Sequence, residues 1–392
     1  MQSAEKRNAD ILPVGHLGII ALESCQELGQ KIDRHIVSWR KEREHLHEGS
    51  PQLVEYSKDT YLVPAKAPRF GTGEAKGQIF GTVRGDDLYL LVDVCNHSIT
   101  FPMGGFTNHM SPDDHFQDLK RIIMAIAGKA RRITVIMPFL YESRQLTRSM
   151  RESLDCAIAL QELMHMGVDS IVTFDSHDPR VQNAIPLHGF ESYTPSYQFI
   201  KGLFKVAPDF HIGADNLMVI SPDEGGMKRA IYMANVLGTD MGMFYKRRDY
   251  TRFENGINPV VAYEFLGSDL AGTDIIIIDD MISSGETILE TARQLKKRDA
   301  GRIFICATFG LFTNGLAPFD QAWEEGVFNF LLTTNLVYQP PELLSRQWYM
   351  GCDMSKFLAL IIDTMNHDGS VSQLLDPIDR INLFLEKRRE RS

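Results

Sequence analysis

Apolar and polar positions along the chain change on two length scales. Short runs of continuous apolar, mostly β-branched residues are separated by longer stretches in which apolar residues recur at helical spacing. In the first half "DLYLLVDVC", "RRITVIMPFL" and "VDSIVTFDSHD" read as strands, with "DDHFQDLKRIIMAIAGKA" and "LDCAIALQELMHMG" as the intervening helices. The second half repeats the plan with "NLMVISPDEGG", "MKRAIYMANVLG", "MGMFYKRR", "TDIIIIDDMISSG", "ETILETARQLKKRD" and "RIFICATFGLF". Strands apolar on both faces belong in parallel sheets covered by helices, so the alternation predicts an α/β fold. The halves also echo each other: "LYLLVDVCNHS" holds in the first the place that "IIIIDDMISSG" holds in the second. We therefore expect two related domains, 1–195 and 196–392, with the boundary around "YTPSYQFIKGLFKVAPDFHIG" and a last segment free to pack back on the first domain.

Composition narrows the function classes. A chain of 392 residues with ordinary apolar and charged fractions is long enough for two domains of this kind. Its formal net charge of −10 argues against a general binder of nucleic acid or of anionic membranes, so a phosphate ligand would be gripped by local basic groups. The five cysteines are dispersed, odd in number and without CxxC spacing, as expected of a reduced protein with buried thiols and no zinc site. Near the N-terminus Pro13, Gly15, His16 and Gly18 interrupt the apolar stretch after Lys6 and Arg7, so neither a signal peptide nor a membrane span is expected and the cytoplasm is the expected location. The charged "SWRKEREHLHEGSPQ" reads as a solvated helix end, and "VPAKAPRF" as a linker or extended segment without chemistry.

The chemistry concentrates at predicted strand ends. In "DIIIIDDMISSGET" a buried strand runs into Asp279 and Asp280, then into Ser283, Ser284, Gly285 and Thr287 before a helix. A helix N-terminus offers free N–H groups to an anion, glycine lets the backbone approach, and hydroxyls add donors without bulk. Two adjacent carboxylates beside a phosphate need another partner, such as sugar hydroxyls or a divalent cation, so the segment suggests a sugar phosphate. An ordinary Asx turn at a strand end is the alternative. "TFDSHDPR" sets His177 just past a strand between Asp175 and Asp178, and "ISPDEGGMKRA" sets Asp223 and Glu224 before a helix whose first turns carry Lys228 and Arg229. Cations there oppose the helix dipole, a conflict an anion would relieve. "MFYKRRDYTR" gathers Lys246, Arg247, Arg248 and Arg252, and "PFLYESRQLTRSMRES" gathers Arg144, Arg148 and Arg151.

Taken in order, "FGTGE", "SRQ", "DSHD", "SPDEGGMKRA", "KRR", "IIIIDDMISSGET", "ATFGLF", "TTN" and "HDGSVSQLL" make the chain resemble the ribose-phosphate pyrophosphokinase (PRPP synthetase) family from about residue 66 to about residue 376. The resemblance implies two phosphoribosyltransferase-like domains, each a mostly parallel sheet flanked by helices. It implies Mg2+-dependent transfer of the diphosphoryl group of ATP to the anomeric hydroxyl of ribose 5-phosphate, giving PRPP and AMP. Asp279 and Asp280 would then hold the ribose hydroxyls, and Ser283, Ser284, Gly285 and Thr287 the 5-phosphate. His177 and Asp223 match the family's magnesium positions, with His177 also at the ATP. Phe70 and Glu74 match residues that meet the adenine from a neighbouring subunit, which implies a homo-oligomer with a shared nucleotide site. Arg144 and Gln145 match ATP contacts, and Lys246 and Arg248 match the catalytic pair on a mobile loop.

The chain departs from the family pattern at several points. Ser283, Ser284 and Glu286 stand where aspartate, threonine and glycine are usual, and Gly285 comes one place early. Leu146 and Thr147 replace an acidic and a basic residue, and Thr72 stands where an amide or carboxylate meets the adenine. These changes motivate a second reading, a non-catalytic homologue that regulates an active partner. A third is a phosphoribosyltransferase that consumes PRPP, for which the acidic-pair loop alone would suffice.

Overall fold

The computed structural model describes residues 13–46, 56–145, 148, 151–213, 215–248 and 260–390, without the side chains of 44–46, 246–248 and 260–263. By its internal contacts the chain forms two units, one of Met1–Thr194, Asn335–Tyr338 and Asp353–Asp376, the other of Pro195–Thr334, Gln339–Cys352 and Pro377–Ser392.

The first unit is built on five strands: β1 (His16–Ala21), β2 (Asp86–Leu91), β3 (Arg132–Ile136), β4 (Ser170–Phe174) and β5 (Gly189–Tyr193), all parallel and adjacent in chain order. The register sets Ile20 beside Leu90 and Val135 beside Ile171, so the central rows are apolar and buried on both faces. Two antiparallel pairs lie outside the sheet, Ala65–Lys66 with Gln78–Ile79 and Thr100–Met103 with Phe106–His109. The helix Pro112–Ile126 opens on Ser111, whose hydroxyl accepts from the Asp114 amide while Asp114 accepts from the Ser111 amide. Pro112 takes the first position, where its missing N–H costs nothing.

The second unit's sheet has seven strands in the order β8 (Val260–Leu266), β7 (Asp240–Arg248), β6 (Leu217–Ser221), β9 (Asp274–Ile282), β10 (Ile303–Gly310), β11 (Phe330–Thr334) and β12 (Tyr349–Cys352). Only the pairing of β7 with β8 is antiparallel. The run β6, β9, β10, β11, β12 repeats the chain-order succession of β1 to β5, and β2 and β9 both stand second, so the two echoing segments hold equivalent places. Core clusters on the two faces of this sheet interleave its residues: Ile275 and Ile277 pack on one side, Ile276 and Ile278 on the other. The α/β class with two mostly parallel sheets flanked by helices is thus the observed architecture.

Three differences from the sequence reading have physical causes. β9 does not stop at the isoleucines; Asp279 pairs with Ala307 and Ile282 with Gly310, because the neighbouring strand β10 is buried along its whole length and carries the ladder past the acids. Strands β1, β5, β8, β11 and β12 did not stand out, since each is short or broken by polar residues and glycine and owes its form to a neighbour's ladder. The helix Gln26–Leu46 is not simply a solvated charged helix. Arg40 is fully buried and Arg43 nearly so, and both bond Asp363 of the helix Ser355–Asn366, at 3.1 and 2.6 Å.

The five cysteines are free thiols, and all but Cys95 are buried. No helix among the described residues is long and apolar enough to cross a membrane.

Candidate active site

β9 delivers its two aspartates at the carboxyl end of the sheet, and three residues separate the end of the strand from the helix Glu286–Lys296. The turn between them, Ser283 to Gly285, is fixed from both sides. The Thr313 amide donates to the Ser283 carbonyl at 2.9 Å, and the Leu289 amide to that of Gly285 at 3.0 Å. Gly285 caps the helix at φ 88°, and a Cβ there would come within 2.2 Å of the Phe319 ring. Both conditions demand glycine. Glu286 is exposed, as a carboxylate beside an anion cradle has to be, and Ser284 Oγ lies 3.5 Å from its amide.

The two carboxylates already have one cationic partner. Arg229 Nη2 lies 3.3 Å from Asp280 Oδ2 and Nη1 lies 4.0 Å from Asp279 Oδ1. The guanidinium in the first turn of the helix Met227–Leu237 therefore answers the acids of β9, and the unfavourable position against the helix dipole is offset by this pair. Asp279 Oδ1 also accepts the amide of Asp280 at 2.9 Å. Burial first, then the adjacent Asp280 carboxylate, hold Asp279 well above the ordinary carboxylate range; Asp223 pushes the same way and Arg229 opposes. The pair is thus an acidic site suited to hydroxyl donors or to a cation.

Asp223 follows β6. Its Oδ1 accepts from the amides of Gly225 and Gly226 at 3.0 and 3.3 Å, shaping the entry to the helix Met227–Leu237, while Ser221 Oγ donates to its backbone carbonyl at 2.6 Å. Its electrostatic effect on Asp279 shows that the ends of β6 and β9 share one acidic field. Lys246 and Arg248 lie at the end of β7, where the ladder pairs them with Tyr263 and Val260 and a bulge falls between Arg247 and Arg248. Their side chains, and Arg252, lie outside the described residues.

The remaining candidates belong to the first unit. Phe70 is half exposed on a tight turn in which its amide donates to the Glu74 carbonyl at 2.7 Å, and Thr72 Oγ1 donates to the Glu74 carboxylate at 2.9 Å. Arg144 is exposed, and Gln145 Nε2 donates to the Ser153 carbonyl at 3.0 Å. Leu146 and Thr147 lie outside the described residues. His177 stands exposed on the turn after β4, while Asp178 caps the short helix Pro179–Ala184 by accepting the Arg180 amide at 2.9 Å. His177 and Asp223 thus come from different units, and no cluster of three or more His, Cys, Asp or Glu able to hold a metal forms among the described residues.

One buried acid was not singled out by sequence reasoning. In the echoing segments Asp93 falls where Asp280 falls, and Val92 where Asp279 falls. Asp93 is buried, accepts the amides of Cys95 and Tyr338 at 2.8 and 2.7 Å, and is pushed up to about 7 by burial. The echo itself was the signal for it. "HDGSVSQLL" likewise does structural work: His367 donates from Nδ1 to the Asp363 carbonyl at 2.6 Å and accepts from Tyr56 at 2.5 Å.

Comparison with known proteins identifies both halves of the chain. Residues 17–167 match the N-terminal domain of ribose phosphate pyrophosphokinase, and residues 197–345 match the phosphoribosyl transferase domain. A ribose-phosphate pyrophosphokinase of Vibrio parahaemolyticus is 28% identical over 335 residues, covering 83% of this chain and 96% of its own length. That of Shewanella oneidensis is 28% identical over 329 residues, covering 80% and 91%. The crystal structure of phosphoribosylpyrophosphate synthetase from Mycobacterium smegmatis superposes with a TM-score of 0.70 at 22% identity, covering 90% of this chain and all of that one, a likeness of fold. With both domain families matched in order along most of its length, the chain belongs to the ribose-phosphate pyrophosphokinase family of enzymes.

Proposed function

We propose that the protein transfers the diphosphoryl group of ATP to the anomeric hydroxyl of ribose 5-phosphate, giving PRPP and AMP. The observation that carries this reading is the acidic pair on β9, held by Arg229, with only three residues between the end of that strand and a glycine-capped helix. In this reading Asp279 and Asp280 accept hydrogen bonds from the ribose hydroxyls. Ser283, Ser284, Gly285 and Thr287 take the 5-phosphate at the helix N-terminus. Phe70 stacks on the adenine and Glu74 accepts from it, contributed by a second copy of the chain in a homo-oligomer. Arg144 and Gln145 contact the nucleotide.

The anomeric oxygen forms a bond to the β-phosphorus as the bond from that phosphorus to the α,β-bridging oxygen breaks. AMP leaves with the electron pair, and the hydroxyl proton passes to solvent water. No covalent enzyme intermediate is needed, so the residues act by in-line positioning and by cationic stabilisation from Lys246 and Arg248. In this reading Asp223, whose Oδ1 is taken by two amides, would give Oδ2 to magnesium, and His177 would be the second position that the family resemblance assigns to the ion. Such a donor set fits the ion only as a partial shell completed by phosphate oxygens and water. When bound, magnesium would neutralise charge on the triphosphate.

The test is to follow AMP and PRPP from ATP, magnesium and ribose 5-phosphate. Product is expected with the wild type, and Lys246→Ala should lower kcat by about two to three decades, roughly 3 to 4 kcal/mol of barrier. Binding of both substrates without turnover would establish the regulatory reading that Ser283, Ser284 and Glu286 motivate.

A further inference from the structure

The segment "TFPMGGFTNH" holds none of the candidate site residues, yet it packs against a turn that does. It forms the antiparallel pair Thr100–Met103 and Phe106–His109, turned through Gly104 and Gly105 at φ 61° and 85°. Positive φ at both central residues gives the two-residue turn whose twist suits a hairpin. The hairpin is tied at its base: the Met110 amide donates to the Ile99 carbonyl at 2.9 Å, and His109 donates from Nδ1 to the His97 carbonyl at 2.7 Å. Phe101 and Met103, two apart on one strand, share a face, and both reach the segment Arg69 to Gly73.

The ladder of the Phe70 turn is short. Arg69 bridges Ala75, and the Phe70 and Gly73 amides donate at 2.7 and 2.9 Å to carbonyls within the turn. A lone hairpin of this size is marginal in water, so its conformation depends on what it rests against. At one end it rests on Met103: a Cβ at Gly73 would come within 2.5 Å of the Met103 sulfur and 3.9 Å of the Phe101 ring. At the other end the Phe101 ring lies 4.7 Å from the guanidinium of Arg69, which Asp118 of the helix Pro112–Ile126 also holds at 3.0 Å. Arg69 directly precedes Phe70, so the backbone on both sides of that residue is restrained while its ring stays half exposed.

We propose that Phe101 and Met103 are positioning residues for the nucleotide base, holding the Phe70–Glu74 turn in the conformation that meets it. The inference rests on the reading of Phe70 and Glu74 as base contacts given above. A turn that is already ordered binds without the entropic cost of ordering it. One that spends only about a fifth of its time in the competent form binds about fivefold more weakly. Nucleotide binding and not the transfer step should respond, because neither residue is among those that act on the diphosphoryl group.

Steady-state kinetics of the full-length Met103→Ala variant test the proposal. Its KM for ATP should rise about fivefold or more, with kcat and the KM for ribose 5-phosphate unchanged. Met103→Leu, which keeps the side-chain volume, should restore the wild-type value. Without nucleotide, hydrogen exchange at the Phe70 and Gly73 amides should quicken in Met103→Ala and not in Met103→Leu. Phe101→Leu, which removes the aromatic face over Arg69, should act in the same direction and carries the same test should Met103→Ala not fold. An unchanged KM for ATP, an equal rise for both substrates, or a Met103→Leu variant as impaired as Met103→Ala would overturn the inference and leave the proposed reaction standing. A wild type that makes no PRPP would overturn that reaction, and the inference with it.

Discussion

Asp279, Asp280 and Arg229 form a unit in which each residue sits in a place that would be costly alone. Two adjacent carboxylates, one buried and one half-buried, repel, and a cation in a first helical turn opposes the dipole; together, at 3.3 and 4.0 Å, they become tolerable. Replacing Arg229 by Met removes the counter-charge while keeping most of the side-chain volume, and should destabilise the second unit by about 2 to 4 kcal/mol, read from denaturant unfolding at pH 7. Asp279→Asn works in the opposite direction. Because the folded-state pKa of Asp279 lies above its unfolded value, its stabilising contribution is complete below about pH 4 and is lost as pH rises through the raised value. The variant should therefore gain in Tm relative to the wild type as pH rises above about 4, while its affinity for ribose 5-phosphate falls at least tenfold. A Tm difference independent of pH would show that Asp279 titrates as an ordinary surface acid.

At the scale of elements, the turn from β9 into its helix is the tightest junction of the candidate site. Gly285→Ala introduces a Cβ at positive φ and drives it to 2.2 Å from Phe319, which is itself buried among Phe312 and Trp348 and cannot retreat. A loss of about 2 to 4 kcal/mol is expected, measurable by thermal unfolding, with ribose 5-phosphate binding impaired in the fraction that folds. Glycine next to two hydroxyl residues was legible as a cradle from the sequence. The steric reason for it was not, because Phe319 lies 34 residues away in the chain and meets Gly285 only through packing. The same holds for Arg229: its awkward place in a first turn could be read, but the acids that answer it come from a different strand.

At the scale of the whole molecule, each unit is assembled from separated stretches of chain. The first unit needs the helix Ser355–Asn366, which returns to pack on Gln26–Leu46 and brings Asp363 to Arg40 and Arg43. A fragment of residues 1–194 would leave two buried guanidinium groups without their carboxylate and an apolar helix face uncovered. Circular dichroism should show no cooperative melting for this fragment. A sharp transition near that of the full chain would mean that the returning helix is dispensable. The basic residues of "SWRKEREHLHEGSPQ" read as solvated because charge runs usually are; the buried partner is more than 300 residues downstream, beyond any local pattern.

What the sequence determined by itself is what local physics encodes: strands buried on both faces, helical spacing between them, the duplicated plan, and the clustering of acids, hydroxyls and glycine where a strand meets a helix. These follow from period, propensity and turn chemistry within a dozen residues. The tertiary structure decided which groups answer one another, as in Arg229 with the acidic pair, Asp363 with Arg40 and Arg43, and Phe319 over Gly285. It also decided how far β9 runs, since a neighbouring strand's ladder outweighs the poor strand propensity of two aspartates. The physical reason is common to all of these: charge pairing, steric contact and ladder hydrogen bonding act across space, and only the fold sets those distances.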